Sequence, residues 1–148
     1  WEDAAGGKVL QFLSDSMDGS DATTSTSFQN VHSLDITPAA TSSKIMVWVN
    51  VSFLMSGSTR PNAGLQILRD AEVIWSISGE GIQYHSFGSG GEVGAHFSAA
   101  YLDSPSTTSA TTYELQSKVG SGETLTIQGA SSGDWTNSSG IHLMEIGA

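Results

Sequence analysis

Four histidines, His32, His85, His96 and His142, are the residues best suited to metal or proton chemistry, and each stands alone in its own stretch of chain. A metal ion needs three or four ligands converging at about 2 Å. Isolated histidines meet that demand only if strands from one chain, or from symmetry-related copies, bring His85, His96 or His142 together. The default for each is a structural or solvent-facing imidazole. "SDSMDGSD" spaces Asp15, Asp18 and Asp21 three apart. It lacks the alternating oxygens and bidentate Glu of a calcium loop, so the expectation is Asx turns.

Other catalytic patterns are missing. There is no G-x-S-x-G elbow, no H-E-x-x-H, no Walker loop and no Rossmann fingerprint. The glycines of "GSGGEVG" do not open a helix, so no helix terminus is offered to a phosphate. With no cysteine in the chain, disulfides, thiolate metal sites and cysteine nucleophiles are all excluded. The expectation is a non-enzymatic protein with no cofactor and no metal.

Binding chemistry has better candidates. Trp135 lies in "SSGDWTNSSG" with Asp134 and Asn137 beside it, and a flat ring next to short polar hydrogen-bonders is a common way to hold a sugar. Tyr84 and His85 form a second candidate cluster, whereas Trp75, in "EVIWSI", is expected in the core.

These residues must be positioned by strands. Gly, Ser and Thr are abundant, and the apolar residues recur with a period of two. "KIMVWVNVSFLM" is the clearest case. It places Ile45, Val47, Val49, Val51, Phe53 and Met55 on one face and Met46, Trp48, Asn50, Ser52 and Leu54 on the other. Other strands are expected at 8–13, 27–36, 64–69, 72–78, 81–87, 93–102, 111–119, 123–128 and 141–146, with a hairpin tip at Arg69-Asp70-Ala71-Glu72. About ten antiparallel strands in 148 residues predict an all-β, two-sheet sandwich of jelly-roll type, forming one domain over 1–148.

The second face of the 44–55 strand carries Met46 and Trp48 where water would favour charge. A sister subunit is the simplest cover, so Met46, Trp48, Leu143, Met144 and Ile146 are expected at the interface of a homotrimer. Five basic against fifteen acidic residues give a net charge of −10, which argues against nucleic acid as a partner. No apolar run reaches roughly 18 residues, so no membrane insertion by a helix is expected. The start at Trp1 suggests a piece of a longer chain, with residues 1–7 a linker from an upstream stalk.

Four phrases together, "GKVLQF", "ITPAATSSKIMVWVNVSF", "LDSPSTTSATTYELQSK" and "IHLMEIGA", resemble the carboxy-terminal domains of phage virion fibre proteins, of tail or head fibres. The resemblance implies a jelly-roll head similar to tumour-necrosis-factor and complement heads, at the tip of a trimeric fibre on the virion surface. Implied partners are the fibre stalk or virion shell and a host-surface glycan or other receptor. The alternatives are a purely structural capsid decoration or head-fibre protein, and a monomeric carbohydrate-binding module. Residues 57–97 contain none of these phrases.

Overall fold

The computed structural model describes residues 7–57, 61–83, 92–127 and 139–147, with side chains of 78–83 left aside. The candidates Trp135, Asp134, Asn137, Tyr84 and His85 lie outside the described residues, as does part of the strand expected at 81–87.

Ten strands make up the described chain: β1 (Val9–Ser16), β2 (Asp21–Thr23), β3 (Gln29–Ile36), β4 (Lys44–Ser56), β5 (Asn62–Arg69), β6 (Glu72–Gln83), β7 (Val93–Asp103), β8 (Thr111–Val119), β9 (Thr124–Ile127) and β10 (Gly140–Ile146). They form two antiparallel sheets, as the period of two predicts. In the first, β4 is central. Its one edge takes β7, and its other edge takes β10 along Lys44–Asn50 and β9 along Phe53–Ser56. Beyond these lie β1 on β10 and β2 on β9. The second sheet runs β3, β8, β5, β6.

The pairings are nested. First strand meets last in β1:β10, and inside that come β3:β8, β4:β7 and β5:β6. A single long ribbon, folded back at the β5–β6 hairpin and rolled up, produces this order. The hairpin tip falls at Asp70 and Ala71, whose φ angles of 46° and 73° are those of a type I′ turn.

Between the sheets lies one core. Ile45, Val47, Val49, Val51, Phe53 and Met55 of β4 face Leu65 and Ile67 of β5 and Tyr113 and Leu115 of β8, and all are buried. Trp75 sits at the rim of this core, half-buried, its ring 5.8 Å from Phe97 on the opposite sheet. Val73 does not share its face. A register shift between Ile67 and Leu68 opposite β6 reverses the alternation and turns Val73 out to solvent.

Three carboxylates are buried with the core, and each ties a loop down. Glu145 accepts the Ala39 N–H at 2.7 Å and the Gln11 amide at 2.6 Å, fixing the β3–β4 connection to β1 and β10. Burial alone would push its pKa up. These bonds, with the Ser43 hydroxyl alongside, outweigh burial and hold it below the usual carboxylate range. Asp103, at the end of β7, accepts Arg69 Nη1 of β5 on both its oxygens, at 2.9 and 3.0 Å, and the Tyr113 hydroxyl of β8 at 2.7 Å, which bolts one sheet to the other. Burial, then the Asp103 charge, raise the Tyr113 phenol well above its ordinary value. Glu123 accepts the Asn62 N–H at 3.0 Å.

Several boundaries differ from expectation: β1 runs on to Ser16, β5 begins at Asn62, and β2 falls where no strand was expected. The 72–78 and 81–87 segments are joined by one continuous strand to Gln83, because Gly79 and Gly81 continue the extended chain instead of turning it. "SDSMDGSD" is only partly turn: Asp15 lies within β1, which ends at Ser16, and Asp21 opens β2, with Gly19 at φ 101° between them.

Candidate functional site

Directly opposed residues of antiparallel strands share a face, so the outer surface of the first sheet can be read as rows. One row runs Phe12, Met144, Met46, Leu102; the next Ser14, His142, Trp48, Ala100; the next Ser16, Gly140, Asn50, Ser98. Val9, Ile146 and Lys44 flank the first row, and Ser52 with His96 follows the third.

This surface is strongly apolar at one end. Phe12 is 55% exposed, Leu102 50% and Trp48 48%. It carries no carboxylate on any outward position of the described strands, in a chain with fifteen acidic residues. Lys44 is its one permanent charge, and that ammonium is held at the margin by Ser104 Oγ at 2.6 Å. Large exposed apolar patches mark places where another surface docks, and depletion of charge is what distinguishes the centre of a protein interface.

Its other end holds a hydrogen-bonded relay. Trp48 Nε1–H donates to Ser98 Oγ at 2.8 Å, and Ser98 donates to Asn50 Oδ1 at 3.1 Å. Asn50 Nδ2 meets His142 Nε2 at 3.3 Å, while His142 Nδ1 meets Ser14 Oγ at 2.8 Å. Phe12 stacks on the imidazole at a centroid distance of 6.4 Å, and Trp48 approaches it edge-on at 6.3 Å. A step away, His96 Nδ1 pairs with Ser52 Oγ at 2.7 Å. Asn50, Ser52, His96 and Ser98 line a shallow depression of about 360 Å³ beside Trp48.

Of the residues expected at an interface, Met46, Trp48, Met144 and Ile146 stand on this outer face. Leu143 does not. It pairs with Val47, points between the sheets and is wholly buried, so it has no surface left for a partner. Single-residue alternation along β10 puts Leu143 and Met144 on opposite faces, and only Met144 can serve. The sequence reading missed Phe12, Val9 and Leu102, as well as the relay. Alternation in "VLQFLSDS" would have paired Phe12 with Ser14. The irregular register between Val9 and Gln11 hides that Val9 belongs with them.

His32 stands apart on β3, with Asp15 Oδ2 3.3 Å from its Nε2, off the line of a hydrogen bond. Among the described residues no three metal-binding side chains gather in one place.

The fold and this face define a class: a two-sheet antiparallel β-sandwich with a charge-poor aromatic surface. No protein-family model matches the chain, and no curated protein does. Among solved structures it is similar to dimeric latent PorU from Porphyromonas gingivalis, with 8% identity and a TM-score of 0.40. The match covers 97% of this chain and 14% of that one, a likeness too distant to bear on function.

Proposed function

We propose that this chain is the jelly-roll head of a homotrimeric virion fibre, a non-enzymatic structural protein that stands on the particle and contacts the host surface. The observation that carries the reading is the outer face of the first sheet. A chain of net charge −10 repels its own copies over most of its surface, and this face is where copies can meet without opposing carboxylates. The nested ribbon of strand pairs supports the jelly-roll reading of the sandwich.

The phrases that carry the resemblance to fibre heads add physical support, because they meet in space. "GKVLQF" supplies Gln11, "ITPAATSSK" supplies Ala39 and Ser43, and "IHLMEI" supplies the Glu145 that binds Gln11 and Ala39. "LDSPSTTSATTYELQ" supplies Asp103 and the Tyr113 that donates to it. Three of the strands these phrases form, β1, β10 and β4, lie side by side under the charge-poor face, while a fourth, β8, lies in the second sheet. Three copies on one rigid head would turn weak receptor contacts into firm attachment through effective concentration.

Light scattering on the purified chain tests assembly: three times the 15.4 kDa chain mass at micromolar concentration is expected, and a monomer refutes it. Trp135→Ala tests attachment. It should weaken adsorption to cells while leaving the assembled mass unchanged, and unchanged adsorption removes Trp135 from the contact set.

A second reading is favoured by one observation. The depression beside Trp48, with its amide, hydroxyl and imidazole groups, has the chemistry of a sugar site in a monomeric carbohydrate-binding module. That reading requires a monomer whose Trp48 fluorescence responds to oligosaccharide, so the same scattering measurement separates the two.

A further inference from the structure

The relay on the outer face has a direction. An indole N–H can only donate, so Trp48 fixes Ser98 as its acceptor, and Ser98 spends its own proton on Asn50 Oδ1. Asn50 then presents its Nδ2 donor to His142 Nε2. An imidazole nitrogen facing a donor must accept, so the proton sits on Nδ1 and is given to Ser14 Oγ at 2.8 Å. Every bond along this path is satisfied with a neutral imidazole.

Protonation at Nε2 reverses that logic by setting two donors against each other. The conflict is relieved only if the Asn50 amide turns over, which takes its oxygen from Ser98. Among the described residues nothing nearby offsets the new charge. β1 presents Ser14 and Phe12 to the ring, and β4 presents Trp48 and Asn50. The other ionisable groups on the outward positions of the described strands are Lys44, at the far margin, and His96, held by Ser52. No carboxylate faces His142 from any of them.

We infer that His142, Asn50, Ser98 and Trp48 form a proton-sensitive latch on this face, closed while the imidazole is neutral and opened when it takes a second proton. The inference rests on the reading of this face as the contact between copies. Covering a neutral, fully bonded relay is tolerable, whereas covering an unpaired imidazolium is not. Assembly is therefore tightest while the imidazole is neutral and weakens as falling pH protonates it.

Two measurements on the same protein decide it. Light scattering across a concentration series at pH 7.5 and 5.5 should show a higher dissociation midpoint at pH 5.5: with one excluded proton per chain, the trimer's cubic dissociation constant rises about a thousandfold, and the midpoint about thirtyfold, for each pH unit over which the free chain is protonated. An assembly equally tight at both values overturns the latch. Asn50→Asp supplies an acceptor to both Ser98 and a protonated His142, so that variant should associate more tightly at pH 5.5 than at 7.5. Nitrogen-15 spectra of the imidazole at pH 8 should show Nδ1 carrying the proton and Nε2 bare. Nε2–H at that pH overturns the relay in any state of assembly. A monomer at pH 8 sinks the intersubunit reading alone, and the ring-nitrogen spectrum still judges the relay.

Discussion

The two outer faces of the sandwich are built from the same kind of alternating strand, yet they have opposite chemistry. On the second sheet, outward positions carry Asp35, Glu114, Gln116, Gln66 and Lys118. They are stitched together by short polar bonds: Thr112 to Asp35 at 2.6 Å, Gln66 to Gln116 at 2.6 Å and Gln116 to Glu114 at 2.6 Å, with the Lys118 ammonium 4.7 Å from the Phe28 ring. On the first sheet, the equivalent positions carry Phe12, Met46, Met144, Trp48 and Leu102, with a relay of neutral groups, the Ser52–His96 pair and, at the margin, Lys44. Charge on one face and its absence on the other cannot be a demand of the fold, because both sheets bury their inner sides equally well. The difference is what the proposed trimer would produce, with water outside one sheet and a sister copy outside the other.

That contrast breaks most sharply if an acid is moved across it. Trp48→Glu places a carboxylate among Met46, His142 and Ala100, where a covering copy would leave it unpaired, and association should fall at least a hundredfold. The same change on the second sheet, Gln116→Glu, should leave the assembled mass unaltered. Sedimentation of both variants, with circular dichroism to confirm folding, makes the test. Equal behaviour of the two would remove the reason for calling the first face an interface.

Much of this architecture was legible beforehand, because an alternation such as Ile45 to Met55 admits only one inner face and the strands fall where Gly, Ser and Asn clusters allow. The outer face was half legible. Trp48 and Met46 announce it within one strand. Phe12 and Leu102 come from strands far apart in the chain, β1 and β7, and join them only through register, which local pattern does not encode. Leu143 was misplaced for a related reason: an apolar pair, Leu143-Met144, contains one residue for each face, and the pair alone does not say that only Met144 looks outward. The relay was invisible, since Ser14, Asn50, Ser98 and His142 are ordinary residues until three cross-strand pairings bring them into line.

A sharper use of the comparison is the acid that is inside. Glu145 is fully buried and bonded, so Glu145→Ala leaves the Ala39 N–H and the Gln11 amide without their acceptor. A loss of about 3 kcal/mol is expected in urea unfolding, in the range for breaking a buried charged network. Asp103→Asn should cost a similar amount by leaving the Arg69 guanidinium short of the carboxylate that Nη1 meets. The pH response follows from the direction of the Glu145 shift. A carboxyl held below its ordinary value stabilises the fold fully above the titration of a free glutamate, about 4.3, and that contribution drains away as pH falls toward the lower folded value. Unfolding midpoints measured from pH 6 to 3 should therefore decline in the wild type and decline less steeply in Glu145→Ala.

The smallest effect tests whether the rolled ribbon and the outer face are independent. Ala71 holds φ at 73° in the β5–β6 turn, a left-handed conformation that its Cβ disfavours and glycine does not. Ala71→Gly relieves that strain at some cost in unfolded-chain entropy, with a net gain of about 0.5 kcal/mol. The turn belongs to the second sheet and contributes nothing to the Phe12, Met46, Trp48 and Leu102 surface. Melting should therefore rise by a degree or two, on the order expected for such a gain in a chain of this size, while the association midpoint stays where it was. A change in association would mean that the hairpin end of the ribbon reaches the contact between copies, and that the second sheet is less separate from it than its charges imply.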